Sequence, residues 1–481
     1  MSSSRVVRVH ARDEVAARLL RDGIATIQSQ LKVTPEFAPE VEEAARRAAE
    51  SPRLPELDRT DLPLVTVDPP GSMDLDQALH IAREGSGYVV HYAIADVAAF
   101  VQPGDPVDLA SHQRGETLYG ADSKVPLHPT VLSEGAASLL PYQVRPALLW
   151  TIHVDDTGEG TDVQVERARV RSTAKLDYAG VQQAIDEGTA DETLRCLREV
   201  GELRLAREAA RGGISLPLPE QEVDVSGDQW SLEFRSMIPA ETWNAQISML
   251  TGFAAASLMV YGRVGLLRTL PPPVPRDIQR LHRIARALHL EWPAEELYPD
   301  FIRTLDSRKP AEAAMITACA RLLRGSGYVA FDGETPADPV HAALASEYAH
   351  VTAPLRRLGD RYAGEICVSL CAGTEVPDWV KARLHDLPEE MKEGGRRAAQ
   401  YEAAVLNLVE AGLLHDRVGE RFEGVVVDVD DKDETRGTLT VQDPAVEARV
   451  TSSHAVPLGR EVEVTLAQAD LASRSVVFSL D

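Results

Sequence analysis

Cysteine is scarce: Cys196, Cys319, Cys367 and Cys371 are the only four in 481 residues, and none form a CxxC pair. A disulfide framework or a cysteine-held zinc is therefore not expected, and a reducing cytoplasm is the natural setting. Positive charge is also short, with 50 Lys and Arg against 75 Asp and Glu and a formal net charge of −25. That balance opposes indiscriminate adhesion to DNA or to an anionic membrane, although a local basic channel can exist on an acidic body. The N-terminus, MSSSRVVRVHARDEVAARLL, lacks an apolar stretch followed by a small-residue cleavage site, so no export signal is read. The best candidate for a membrane span, Trp243 to Gly262, carries Asn244, Gln246, Ser248 and Thr251 and reads instead as a buried core helix. Glycine and proline follow no period, which excludes a fibrous chain. A hydrophobic fraction of 44% with 26% charged residues excludes wholesale disorder.

What is present divides the chain into an α+β arrangement of three parts. Residues 1–60 read as a small helical module. Ala11 to Arg21 has Val15, Leu19 and Leu20 at helical spacing, and Thr34-Pro35-Glu36 reads as the start of a second helix ending near Glu50. Such helices form a winged-helix module or pack on the neighbouring domain. Residues 61–415 begin with short apolar runs, Leu64 to Val67, Tyr88 to Ile94 and Leu148 to Val154, which predict strands buried on both faces. From about Tyr178 to Leu414 the pattern is helical, so a mixed sheet surrounded by helices is expected. Residues 416–481 hold five short strand patterns, from Phe422–Val429 to Arg474–Leu480, which suit a small OB-type barrel.

The most informative stretch is Leu64 to Leu79. An apolar strand runs into Asp68, Pro69-Pro70-Gly71 turns the chain, and Asp74 and Asp76 follow two apart. Positions i and i+2 of an extended segment share a face, so both carboxylates can point at one spot that Asp68 reaches from the strand end. Convergent acids are costly unless a positive charge sits among them, and Mg²⁺ accepts such hard oxygen ligands. A solvated acidic turn is the plain alternative. A calcium loop fails, because Ala78 and Leu79 stand where a ligand and a glycine are needed. A second constellation, Tyr348-Ala349-His350-Val351-Thr352-Ala353-Pro354-Leu355-Arg356-Arg357, joins an imidazole and two guanidiniums ahead of a helix. It suits phosphate recognition, or else an interdomain ion-pair cluster.

Taken in order, these residues resemble the ribonuclease II (RNB-type) exoribonuclease family. The resemblance rests on Asp68-Pro69, Asp74-Leu75-Asp76-Gln77-Ala78, His91 to Val97, Arg114-Gly115-Glu116-Thr117-Leu118-Tyr119, Leu132 to Leu140, Arg211-Gly212-Gly213-Ile214 and His350 to Arg357. It implies an RNB-type catalytic domain and an RNA-binding terminal barrel, acting processively from the 3′ end of single-stranded RNA to release nucleoside 5′-monophosphates. By matched position, Asp68, Asp74, Asp76 and Gln77 would hold Mg²⁺, and Asp74, Asp76 and Arg356 would act in catalysis. Tyr119, His350, Thr352 and Arg357 would meet RNA, with core packing the alternative for Tyr119. Glu402 would join that catalytic set as the family's late glutamate near the active site, or is an exposed helical carboxylate. Arg357 and Arg361 are expected, with Arg356, along the RNA path.

Two departures stand out. Gln77 replaces the family's fourth aspartate, and the N-terminus has no room for the paired cold-shock barrels of the usual bacterial members. The resemblance implies a monomer acting on single-stranded RNA without a membrane, with DNA bound at most without cleavage, since the 2′-OH can tell the two apart. An RNA-binding protein that keeps the fold without catalysis, and a phosphodiesterase for very short oligonucleotides, are the competing functions.

Overall fold

The computed structural model describes residues 14–481. Its first helices, α1 (Glu14–Leu31) and α2 (Pro39–Glu50), differ from expectation in their bounds. α1 runs ten residues further because Ile24 and Ile27 continue the buried stripe of Ala17 and Leu20, and it stops where Lys32 turns left-handed. Ala11 to Asp13 lie outside the described residues. Thr34 makes only a local turn with Glu36, and Pro39 opens α2, where a missing N–H costs nothing. The two helices share no core: α1 packs with Leu408 and the C-terminal barrel, α2 with Phe100 and Leu132. No strand precedes Leu64 among the described residues, so no wing accompanies them.

Strands β1 (Leu64–Val67), β2 (Gln77–Glu84) and β3 (Gly87–Ala95) lead to α3 (Pro106–Arg114), the short hairpin β4 (Leu118–Tyr119) and β5 (Lys124–Val125), then β6 (Val144–Val154) and β7 (Gly160–Leu176). The sheet is mixed, and it closes in the order β1-β2-β3-β6-β7. Closure comes from β1 lying parallel to the far end of β7, with Val67 opposite Leu176. Both faces are buried, Tyr92, Ile94, Leu148 and Trp150 on one and Ala93, Ala95, Ala147 and Leu149 on the other. That is why these strands read as nearly continuous apolar runs.

Helices α4 (Tyr178–Asp186) and α5 (Glu192–Ala210) follow, but β8 (Glu220–Ser226) and β9 (Gln229–Arg235) interrupt the expected helical stretch. The core helix α6 (Pro239–Gly262) is long and apolar enough to cross a membrane by length and composition, yet it packs on α5. It leads into β10 (Val264–Thr269). An excursion of α7 (Pro275–Ala287), α8 (Tyr298–Arg303) and α9 (Pro310–Ala320) then builds its own core before β11 (Gly327–Asp332) returns to pair with β10. The small ladder β12 (Val340–His341) and β13 (Ser346–Glu347) precedes α10 (Leu358–Ala372), α11 (Asp378–Leu384) and the long α12 (Leu387–Leu414). Gly252 lets the chain entering the second constellation cross α6 closely. A Cβ there would lie 2.1 Å from the Tyr348 ring and 2.7 Å from the Ala349 carbonyl.

The C-terminal strands β14 (Arg421–Val429), β15 (Arg436–Val441), β16 (Val446–Thr451), β17 (Glu461–Asp470) and β18 (Ser475–Ser479) form a second closed barrel, in the order β14-β15-β16-β18-β17. Phe422, Leu439, Val450, Leu466 and Phe478 fill it. This is the five-stranded OB-type arrangement.

Candidate active site

β1 delivers Asp68 at its end, where the Asp68 N–H donates to the Leu176 carbonyl at 3.1 Å. The turn reverses at Gly71, whose φ of 84° suits a residue without Cβ. Leu75, fully buried, is pinned by its N–H to Ser138 Oγ at 3.0 Å and by its carbonyl to the Leu139 N–H at 3.0 Å. With Leu75 inward, Asp74 and Asp76 project together on the other side.

The chain from Tyr348 to Arg357 closes over this loop. Asp76, 3% exposed, accepts from the Leu355 N–H through Oδ1 at 2.8 Å and meets Arg356 Nε with Oδ2 at 3.3 Å. Gln77 Nε2 donates to the Thr352 carbonyl, and the Thr352 hydroxyl bonds Ser248 on α6 at 2.7 Å. Asp360, in the first turn of α10, accepts from the Ala353 N–H at 2.8 Å and takes both arms of Arg357 at 3.1 and 2.9 Å. The side chains of Asp76 and Gln77 thus lock the acidic loop to the backbone of the arginine segment.

The β4–β5 hairpin brings two more groups. Tyr119 and Lys124 face each other across the ladder, so their side chains share a face. Tyr119 is 40% exposed beside Arg356. Lys124 Nζ lies 3.0 Å from Asp74 Oδ1 and 2.8 Å from Glu134 Oε1, and Lys175 donates to the Ser72 carbonyl near Asp68. Burial pushes Asp68 up to about 6, although Arg356 and Lys175 oppose the shift. Burial likewise pushes Asp76 up to about 7 against Arg356 and the Leu355 N–H.

These shifts have a definite sign. A carboxyl whose native pKa exceeds its unfolded one binds protons more tightly when folded. Its stabilising contribution is therefore complete at low pH and lost as pH rises through about 6 to 7. The metal-free protein is expected to lose part of its thermal stability between about pH 4 and 7 and then level off, and Asp76→Asn to flatten that loss. Unfolding midpoints in EDTA across this range check it, and equal slopes in both proteins would refute it.

Residues 57–369 match the RNB domain, and residues 420–481 match the RNase II-type exonuclease C-terminal S1 domain. The chain belongs to the RNB family. It is 27% identical to Ribonuclease R of Escherichia coli over 402 residues, 78% of this chain and 48% of that protein. It is 25% identical to the exosome complex exonuclease dis3 of Schizosaccharomyces pombe over 319 residues, 63% of this chain and 33% of that protein. The chain thus spans about half or less of the length of these curated relatives. Among solved structures, Mycoplasma genitalium RNase R in complex with ribose-methylated single-stranded RNA is similar, with a TM-score of 0.85 at 19% identity over 96% of this chain and 78% of that one. Yeast Ssd1, described as a pseudonuclease, is similar with a TM-score of 0.68 at 15% identity, over 93% of this chain and 58% of that one.

In this RNB protein, Asp68, Asp74, Asp76, Gln77, Tyr119, Thr352 and Arg356 come together, and other expected positions do not. Arg357 is committed to Asp360. Arg361, expected along the RNA path, is instead buried against Asp108 at 2.6 Å, away from the exposed Arg356. His350 bonds the Tyr328 hydroxyl through Nδ1 at 2.8 Å, and burial holds it neutral. Glu402 is exposed on α12 and lies near Glu116. Lys124, Glu134 and Asp360 were not anticipated from the sequence. Lys124 alone left a trace, five residues after Tyr119 across a Gly-Ala-Asp-Ser turn of hairpin length.

Among the described residues no three acids or imidazoles are gathered closely enough to enclose an ion. The donor chemistry nevertheless fits Mg²⁺. Asp68 Oδ2 is buried without a hydrogen-bond partner, and Asp74 raises the proton affinity of both neighbours by repulsion. A cation that keeps several waters needs only one or two such carboxylates.

Proposed function

We propose that this RNB chain hydrolyses single-stranded RNA from its 3′ end and releases nucleoside 5′-monophosphates, with Mg²⁺ held by Asp68, Asp74 and Asp76. One observation carries the reading: Asp76 is fixed between the Leu355 N–H and the Arg356 guanidinium, and the same guanidinium acts on Asp68, whose Oδ2 is unpartnered. A metal-binding carboxylate and a phosphate-binding cation thereby share one point. The ribonuclease names of the relatives, and the single-stranded RNA in complex with the Mycoplasma protein, support the same reading.

Mg²⁺, when bound, would supply a water of lowered pKa and neutralise charge on the phosphate. The protein's own residues do the rest. Arg356, 47% exposed, swings from Asp76 to a phosphate oxygen and offers it a fork of N–H donors as negative charge builds. The exposed Tyr119 ring gives a base a stacking platform indifferent to sequence. Gln77, Thr352, His350 and Arg357 hold the segment that aims Arg356, and Glu402 stays on the surface of α12.

A 5′-labelled RNA of roughly thirty nucleotides, longer than one OB barrel occupies, tests the proposal. Shortening from the 3′ end with release of 5′-monophosphates, stopped by EDTA and absent with DNA of the same sequence, is expected. Gln77 and the likeness to a pseudonuclease favour a second reading, an RNA-binding protein without catalysis. Intact RNA that stays bound with Mg²⁺ present would establish it instead.

A further inference from the structure

The acidic cluster carries cations of its own. Arg356 answers Asp76 and Lys175 lies near Asp68, but Lys124 differs from both because it is shared. Its Nζ sits between two carboxylates on separate segments, Asp74 at 3.0 Å and Glu134 at 2.8 Å. All three side chains are partly buried, at 26%, 15% and 30% exposure for Lys124, Asp74 and Glu134, so the pairs are less screened than surface ones.

The hairpin fixes where Lys124 can reach. Gly120 N–H donates to the Ser123 carbonyl at 2.8 Å, and a Cβ on Gly120 would meet that carbonyl at 2.8 Å and the Tyr401 hydroxyl at 3.0 Å. The hairpin tip is therefore set against α12, and the four-carbon Lys124 stem alone is free to choose between its acids. Glu134 also lies just ahead of Ser138, whose hydroxyl anchors Leu75 between Asp74 and Asp76. The second acceptor of Lys124 is thus built into the same frame as the first.

We propose that Lys124 is a positioning residue that acts as the resident cation of Asp74, and that a divalent cation binds by displacing it onto Glu134. The inference rests on the metal site proposed above and adds what sets its affinity. Lys124 holds Asp74 Oδ1 and sets a positive charge beside the carboxylate, so a Mg²⁺ that uses Asp74 competes with it for that oxygen and is repelled by it while it stays. Glu134 keeps the released ammonium paired, so the exchange leaves no isolated buried charge. Gln77 acts in the same direction, since its amide adds no negative charge to attract the ion.

Metal binding in the absence of RNA tests this, with Mn²⁺ as the probe, read by its paramagnetic signal and by calorimetry. Lys124→Met is expected to tighten Mn²⁺ binding by roughly tenfold or more, the removal of one competing partly buried ion pair. Glu134→Gln should weaken it, because Lys124 then has only Asp74. Lys124→Arg, which keeps the pair, should stay close to wild type. These opposite signs separate the proposal from mere structural damage, which would weaken binding in every variant. Equal affinity in wild type, Lys124→Met and Glu134→Gln would overturn the assignment of Lys124 and leave the metal site standing. No binding by wild type or by Lys124→Met would overturn both.

Discussion

Asp76→Asn is expected to slow RNA shortening by roughly a thousandfold or more, the loss of several kcal/mol of metal-assisted stabilisation at about 1.4 kcal/mol per tenfold. RNA binding and folding should survive. Both oxygens of Asp76 are engaged, Oδ1 by the Leu355 N–H and Oδ2 by Arg356. Asparagine can still present its one carbonyl oxygen to Leu355, so the link between the acidic loop and the arginine segment remains. Its amide N–H₂ then faces the Arg356 guanidinium donor to donor, and the ligand charge is gone. Because burial already pushes the Asp76 carboxyl up to about 7, a neutral replacement relieves a cost at alkaline pH. The variant should therefore unfold at a higher temperature than wild type at about pH 8 in EDTA. Single-turnover rates, anisotropy of labelled RNA and thermal unfolding measure the three quantities. Activity within tenfold of wild type would remove Asp76 from the reaction, and lost RNA binding would move it to the scaffold.

The site was more legible in the sequence than the architecture that holds it. Asp68, Asp74 and Asp76 lie within nine residues of one another, so spacing and the Pro-Pro-Gly turn alone suggested that they could face one spot. The terminal barrel was legible for a similar reason, since each strand pairs with a near neighbour and Arg436–Val441 and Val446–Thr451 fall where the alternation puts them. Closure of the first barrel was not legible. It depends on Leu64–Val67 finding Ser172–Leu176 in parallel, a pairing across more than a hundred residues that leaves no local pattern. The fates of the arginines were hidden likewise. Arg356, Arg357 and Arg361 look alike as a string, but Asp360 captures Arg357 and Asp108, from a helix some 250 residues earlier, captures Arg361. Arg356 is the most exposed of the three, at 47% of its side chain against 25% and 2%. The β8–β9 hairpin was readable after all, as alternating apolar residues about Ser226-Gly227-Asp228-Gln229, and a helical neighbourhood on both sides obscured it.

Asp108→Ala should be among the most destabilising single substitutions in the protein, by about 3–5 kcal/mol, the usual cost of stripping a buried ion of its partner. Arg361 has 2% of its side chain exposed, and Asp108 Oδ1 at 2.6 Å is its one carboxylate among the described residues. Its other polar contact is the Val101 carbonyl at 3.2 Å, while Nε already lacks a partner. Asp108 also accepts from the Gly104 N–H at 2.7 Å, so the substitution frees a backbone donor as well. The loss should reach Arg356, because Arg361 sits one turn into α10 and Arg356 lies just before that helix. A loosened α10 leaves Arg356 less firmly aimed at the phosphate. Activity at low temperature should therefore fall with KM for RNA rising, even where the variant is folded. Asp108→Leu combined with Arg361→Met removes both charges and should unfold later than Asp108→Ala alone, since no buried ion is left unpaired. Thermal unfolding of the three proteins beside wild type measures this. A double variant less stable than Asp108→Ala would mean that the pair itself, rather than the relief of an orphaned charge, holds α10 in place.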